Sequence, residues 1–249
     1  MGKIKETQIG VLRIVQTSLN LLPRQKFEKM MDMTTKPTIL FDMDGVLIDS
    51  ELHWDRLLPD FLRTMIPDFS DQDMHTVQGL SNLSLYQWLC QKYGNFLSGS
   101  EFLPKLADFA DEIYRGPVAL MPGVLDLIQW LHQKQLVMAI VSSSPIRHIK
   151  IVRDRFGLTN YFPKIFSAEM VGGIGKPDPA VYCYAATTLG VLPNSCIAIE
   201  DSKNGVASAK DAGMTAIGLR SEQNRTQDLY RADYVVEGFD SAIRQILGP

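Results

Sequence analysis

The chain alternates between short apolar runs and longer stretches with apolar residues three and four apart. Ile39 to Phe41 is the first such run, and Leu136 to Val141, Ile165 to Ser167, Cys196 to Ile199 and Thr215 to Leu219 follow, with Tyr234 to Val236 as a candidate sixth. Continuous apolar runs of this length predict strands buried on both faces. Between them, Gly123 to Lys134, Pro145 to Phe156, Pro179 to Leu189 and Asn204 to Ala212 carry helical spacing. Strands alternating with helices of this length predict βαβ units and a doubly wound, mostly parallel sheet of the Rossmann-like α/β class.

The interval from Leu52 to Val118 breaks that rhythm. It offers Leu57, Leu58, Phe61, Leu62 and Met65, then Leu85, Trp88 and Leu89, then Phe102, Leu106, Phe109 and Ile113, and no good strand. Pro59, Pro67, Gly94 and Pro104 punctuate it, and Pro117 and Pro122-Gly123 mark the return to the sheet. The expected organisation is an N-terminal extension at 1–36, a Rossmann-like catalytic core at 37–51 and 119–249, and an inserted helical cap at 52–118.

Composition narrows the classes. A 249-residue chain with 45% hydrophobic and 21% charged residues is ordinary for a globular protein. A net charge of −3 leaves no broad basic footprint, so neither nucleic acid nor an anionic membrane is expected as a partner. Cys90, Cys183 and Cys196 are unclustered and odd in number, which fits reduced thiols and a cytoplasmic location. Before the first strand, the apolar-leaning run Ile9 to Leu22 is broken by Arg13, Gln16 and Asn20, too polar for a signal peptide or a membrane span. The expectation is an extension that adds nothing to the chemistry.

Four short motifs lie at the ends of predicted strands. Asp42-Met43-Asp44-Gly45 follows the first, where ligands of an open α/β sheet sit. One carboxylate there can attack phosphorus to form an acyl phosphate, and a second, two residues on, can protonate the departing alkoxide and later accept a proton from water. Ser142-Ser143-Ser144-Pro145 follows the second strand. Pro145 suits a first helical turn and Ser144 an N-cap, so that the Ser142 hydroxyl and free N–H groups would cradle a phosphoryl group. Gly175-Lys176-Pro177-Asp178-Pro179 holds one lysine between stiffening prolines. Glu200-Asp201-Ser202 ends the fourth strand with hard oxygen ligands suited to Mg²⁺.

Each motif has a bland alternative: a solvated acid pair, an ordinary capped helix, a surface turn, an acidic N-cap. Together they do not, because Asp42, Asp44, Asp201 and a phosphate crowded into one place repel one another. At about 4 Å and an effective dielectric near 20 each close pair costs roughly 4 kcal/mol. Lys176 and a divalent metal are the cations the pattern offers.

With these motifs in this order, the chain from about Pro37 onward resembles the haloacid dehalogenase superfamily, and within it the small-sugar phosphatases with a helical cap. The stretch from Phe41 to Glu51 and the Ser142–Pro145 run look like the hexose and hexitol phosphate phosphatases of bacteria. The resemblance implies Asp42 as nucleophile, Asp44 as general acid/base, Ser142 and Ser143 at the phosphoryl group, and Lys176 bridging it to Asp42. It implies Mg²⁺ on the Asp42 and Asp201 side chains and the Asp44 main-chain carbonyl, with Glu200 close by. The alternative within the superfamily is a β-phosphoglucomutase-like isomerase. The loop Gln78-Gly79-Leu80-Ser81-Asn82 resembles that of the mutase but has Asn82 where the mutase has arginine, and Asn82 suits sugar hydroxyls better than a second phosphate. The expected partner is a small phosphorylated sugar, met by a monomer or weak dimer.

Overall fold

The computed structural model describes residues 36–77, 82–94, 96–239 and 241–247. The N-terminal run and Gln78 to Ser81 of the loop singled out above lie outside the described residues.

The six apolar runs are the six strands: β1 Thr38–Phe41, β2 Met138–Ser142, β3 Lys164–Ser167, β4 Cys196–Glu200, β5 Thr215–Arg220 and β6 Tyr234–Glu237. They form one parallel sheet in the order β3-β2-β1-β4-β5-β6. The central strand β1 is wholly buried, as a strand covered on both faces must be, whereas the edge strand β6 exposes Tyr234, Val235 and Glu237. Alternate residues divide between two apolar clusters. Ile39, Phe41, Ile140 and Ile199 face one cluster, and Leu40, Ala139, Val141 and Ala198 the other.

In chain order the helices are α1 Ser50–Arg63, α2 Met74–Val77, α3 Asn82–Tyr93, α4 Gly99–Arg115, α5 Val124–Gln133, α6 Ile146–Arg155, α7 Ala180–Leu189, α8 Lys203–Asp211 and α9 Ser241–Leu247. Helices α5, α6 and α9 cover the first face of the sheet, and α7 and α8 the second. From Leu58 to Leu106 a third apolar cluster, including Leu62, Leu89, Phe102 and Leu106, packs helices against one another away from the sheet. Helix α4 belongs to two clusters: Phe102 and Leu106 join the third, while Ala110, Ile113 and Tyr114 join the first.

Three local expectations are corrected. Pro59 and Pro104 lie inside α1 and α4 instead of ending them. An interior proline costs about 3 kcal/mol; burial of Leu58 and Leu62 beside Pro59, and of Phe102 and Leu106 beside Pro104, opposes that cost. Strand β2 starts at Met138 and not Leu136, because the chain leaving α5 turns through Gln135 at φ 57° before pairing begins. Ser144 does not cap α6. Pro145 takes the extended cap position at ψ 145°, and the Ile146 N–H is met by Glu169 Oε2 at 2.9 Å.

Candidate active site

Parallel register brings the motifs together. Phe41 pairs with Ile140 on one side and Ile199 on the other, so the residues that follow β1 emerge between the ends of β2 and β4. Asp42 is therefore flanked by the ends of the strands that carry Ser142 and Glu200, and its N–H is fixed to the Ile199 carbonyl at 3.0 Å.

Lys176 joins them across the gap. Its Nζ lies 2.5 Å from Asp42 Oδ1, 2.6 Å from Glu200 Oε1 and 2.9 Å from the Val141 carbonyl. The ammonium also sits 5.2 Å from the Tyr182 ring centre, on α7. Burial works against the charged lysine, but the Asp42 and Glu200 carboxylates outweigh it and hold Lys176 above its ordinary range. The loop that carries it is pinned at two points. The Lys176 N–H donates to Ser143 Oγ at 3.1 Å, and the Ser208 hydroxyl to the Asp178 carbonyl at 2.7 Å.

The acids outnumber that lysine. Asp42, Glu200 and Asp201 are buried, and one oxygen from each lies within 4.8 Å of the others. Burial pushes Asp42 up to about 8 against the opposing pull of Lys176, with Glu200 and Asp44 adding to the rise. Asp201 is raised well above its ordinary value by burial, then by Asp42, Glu200 and Glu51. Among the described residues Lys176 is the cation ion-paired to this group.

Two glycines make the crowding possible. A Cβ on Gly45, which has φ +77°, would fall 2.1 Å from Asp201 Oδ2, and one on Gly205 would fall 1.8 Å from Glu200 Oε2. Glu200 Oε1 accepts from the Tyr182 hydroxyl at 2.5 Å, and Oε2 is buried with no hydrogen-bond partner. A concentration of buried carboxylate oxygens, one of them unpaired, is a donor set for a hard divalent cation. The residues present fit a metal.

Asp44 is held differently. Its Oδ1 accepts from the Ser50 hydroxyl at 2.6 Å and the Tyr114 hydroxyl at 2.9 Å, and its Oδ2 from Ser144 at 2.7 Å. That is where the hydroxyl expected to cap α6 goes. Ser142 is buried and its Oγ accepts the Ser144 N–H at 3.0 Å, so its own proton is left to donate. The cradle of free N–H groups expected at α6 is thus reduced, since those of Ser144 and Ile146 are already engaged. Asn82 opens α3, half-buried. Among the described residues no hydrogen bond or ion pair joins it to the carboxylates. The acidic N-cap alternative fails for Glu200 and Asp201, because Ser202 caps α8 by accepting the Gly205 N–H.

Sequence reasoning missed three supports. Tyr182 orients Glu200. The buried Asn224 donates to the carbonyls of Asp201 and Leu219 at 2.7 Å each, fixing the backbone that carries Asp201. Tyr114 reaches Asp44 from α4. Each reaches a site residue 18 or more positions away, and for the two tyrosines only a polar atom at a helical core position could have hinted at it.

The haloacid dehalogenase-like hydrolase profile matches residues 36–213. The chain belongs to that family. It is 33% identical over 180 residues to hexitol phosphatase B of Escherichia coli K12, covering 72% of this chain and 81% of that one. It is 29% identical over 207 residues to β-phosphoglucomutase of Bacillus subtilis, covering 80% and 88%. A HAD family hydrolase from Deinococcus radiodurans R1, solved with bound phosphate and sodium, superposes with a TM-score of 0.66 at 28% identity over 86% of this chain and 96% of that one. The enzyme is a hydrolase of this family, and no described helix is long and apolar enough to cross a membrane.

Proposed function

We propose that this phosphatase hydrolyses small sugar phosphate monoesters, hexose and hexitol 6-phosphates first, through a phosphoryl group carried on Asp42. The observation that carries the reading is the buried Asp42 carboxylate, bound to Lys176 and crowded by Glu200 and Asp201, with Asp44 two residues away. In the first step an Asp42 oxygen bonds to phosphorus, Asp44 gives its proton to the bridging oxygen, and the sugar alcohol leaves. In the second Asp44 takes a proton from water as the water oxygen bonds to phosphorus and the bond to Asp42 breaks. Lys176 and the Ser142 hydroxyl bind phosphoryl oxygens, with Ser143 holding the lysine loop. Asp42, Asp201 and the Asp44 main-chain carbonyl would hold Mg²⁺. Glu200 stands in the same cluster, committed through Oε1 to Lys176 and Tyr182 and with Oε2 unpaired among the described residues. When bound, the ion supplies charge that neutralises the phosphoryl oxygens and the carboxylate cluster.

Residues 52–118 serve in this reading as the cap over a core of 37–51 and 119–249, with 1–36 an extension and Asn82 facing the sugar. A helical cap that closes and excludes water favours compact substrates. The name of the hexitol phosphatase relative supports this substrate class, and the enzyme is taken to work in the cytoplasm. The mutase relative supports the second reading, isomerisation of a sugar phosphate. The test compares 2-deoxyglucose 6-phosphate, glucose 6-phosphate, a nucleoside monophosphate, and β-glucose 1-phosphate with its bisphosphate, all with Mg²⁺. Fastest phosphate release from the hexose 6-phosphates is expected. Faster interconversion of the 1- and 6-phosphates than hydrolysis of any ester would establish the mutase instead.

A further inference from the structure

Asp44 has an unusual set of partners for a group that must move a proton. A carboxylate offers about four lone-pair sites, two on each oxygen. Ser50 and Tyr114 fill both on Oδ1, and Ser144 takes one on Oδ2. Among the described residues one site remains, on Oδ2.

The three donors come from three parts of the chain. Ser50 begins α1, Ser144 follows β2, and Tyr114 stands in the last turn of α4, 70 residues from Asp44. Tyr114 is 2% exposed, its ring packed 4.8 Å from the His148 ring and edge-on to Trp54 at 6.4 Å. A phenol ordinarily keeps its proton across neutral pH, so the Tyr114 hydroxyl donates to Asp44 Oδ1.

The end of α4 that carries Tyr114 is fastened to α6. Arg155 donates to the carbonyls of Tyr114 at 3.2 Å, Gly116 at 2.8 Å and Val118 at 2.8 Å, and Arg147 bonds Asp111 Oδ1 at 3.0 Å. A guanidinium on the last carbonyls of a helix satisfies groups that have no partner within the helix, and its charge suits that end of the dipole. The Tyr114 hydroxyl is therefore a fixed reference point, although it belongs to a helix whose first half packs in the insert's own cluster.

We propose that Tyr114 is a positioning residue for proton transfer: with Ser50 it occupies Oδ1 of Asp44 and confines the transferable proton to Oδ2. This rests on the phosphatase reading above and assigns it a further part. In the first step the Oδ2 proton passes to the bridging oxygen while the P–O bond breaks and its electron pair stays on that oxygen. In the second, Oδ2 takes a proton from the water whose oxygen bonds to phosphorus as the Asp42–phosphorus bond breaks.

A misplaced acid harms esters with poor leaving groups and spares those whose leaving group departs unprotonated. The test is single turnover with Mg²⁺ and enzyme in excess, following leaving-group release from glucose 6-phosphate and from 4-nitrophenyl phosphate. For Tyr114→Phe the ratio of the two rates, sugar over aryl, should fall about 10-fold or more, part of the usual worth of general acid help. Ser50→Ala, which removes the other Oδ1 donor, should move the ratio the same way and carries the test if Tyr114→Phe fails to fold. An unchanged ratio, including an equal loss on both esters, overturns the inference and leaves Tyr114 a packing residue. Wild-type protein that releases phosphate from neither ester would instead remove the phosphatase reading, and this inference with it.

Discussion

The carboxyl end of the sheet buries three acids within reach of one another, Asp42, Glu200 and Asp201, and sets one lysine among them. The helices between Ser50 and Arg115 bury mainly Leu, Phe and Ile, and one shielded acid there, Asp73, is bonded by Lys92 and the Tyr93 hydroxyl. The consequences run in opposite directions. Hydrogen bonds from Lys92 and Tyr93 hold Asp73 below its ordinary value, whereas burial drives Asp42 up to about 8. The Asp73 charge is met locally, as in a structural element. Glu51 at the start of α1, by contrast, is pushed up to about 7 by burial and then by Asp44 and Asp55, and so belongs with the sheet end. The sheet end leaves carboxylates in excess, which is destabilising unless a cation arrives and is the usual mark of a functional site.

Chelation should break this contrast most severely. EDTA is expected to abolish phosphate release, and excess Mg²⁺ to restore it. Ca²⁺ should not, because its larger, looser shell would misplace the nucleophile. The readout is inorganic phosphate from glucose 6-phosphate, and full turnover in chelator would mean that Lys176 alone meets the charge.

Asp44→Asn comes next. It keeps the shape of the side chain but cannot carry the proton, and turnover should fall by roughly 10²–10⁴-fold in a steady-state assay with little change in thermal midpoint. A loss within a few-fold would assign proton transfer elsewhere.

The smallest expected effect on the folded enzyme's catalysis comes from the insert. Phe102 is fully buried between the Tyr86 and Phe96 rings, at 5.6 and 5.4 Å. Phe102→Ala should cost about 3–5 kcal/mol of stability in denaturant unfolding. Hydrolysis of 4-nitrophenyl phosphate by the protein that remains folded should change by less than about tenfold. A larger catalytic loss would show that the insert's packing sets the geometry of the sheet end.

The same contrast explains what could be read from the chain. The strands were legible because a central parallel strand must be apolar on both faces, and the four motifs because each is contiguous and falls at a strand end. Helix α2 was not foreseen, since the four residues Met74–Val77 are too few to show a period. Ser144 reads locally as a helix cap, and a partner 100 residues away, Asp44, overrides that rule. Tyr182, Asn224 and Tyr114 carry no local mark at all. The two tyrosines each act through one hydroxyl on an otherwise apolar ring, Asn224 through its amide, and the site residues they support become neighbours only once the chain has folded. The two glycines lie between these cases: Gly45 and Gly205 stand in recognisable motifs, but the carboxylates they make room for become neighbours only in the folded sheet.

The central claim is that phosphorus passes through the Asp42 carboxylate. The direct measurement mixes the enzyme, Mg²⁺ and a hexose 6-phosphate labelled in its phosphate, quenches in acid within one turnover, and locates the label by peptide mass spectrometry. The account predicts an acid-stable, hydroxylamine-labile phosphoryl group on the peptide containing Asp42, and neither label nor turnover in Asp42→Asn. Label on another residue, or phosphate release by Asp42→Asn at the wild-type rate, would contradict it.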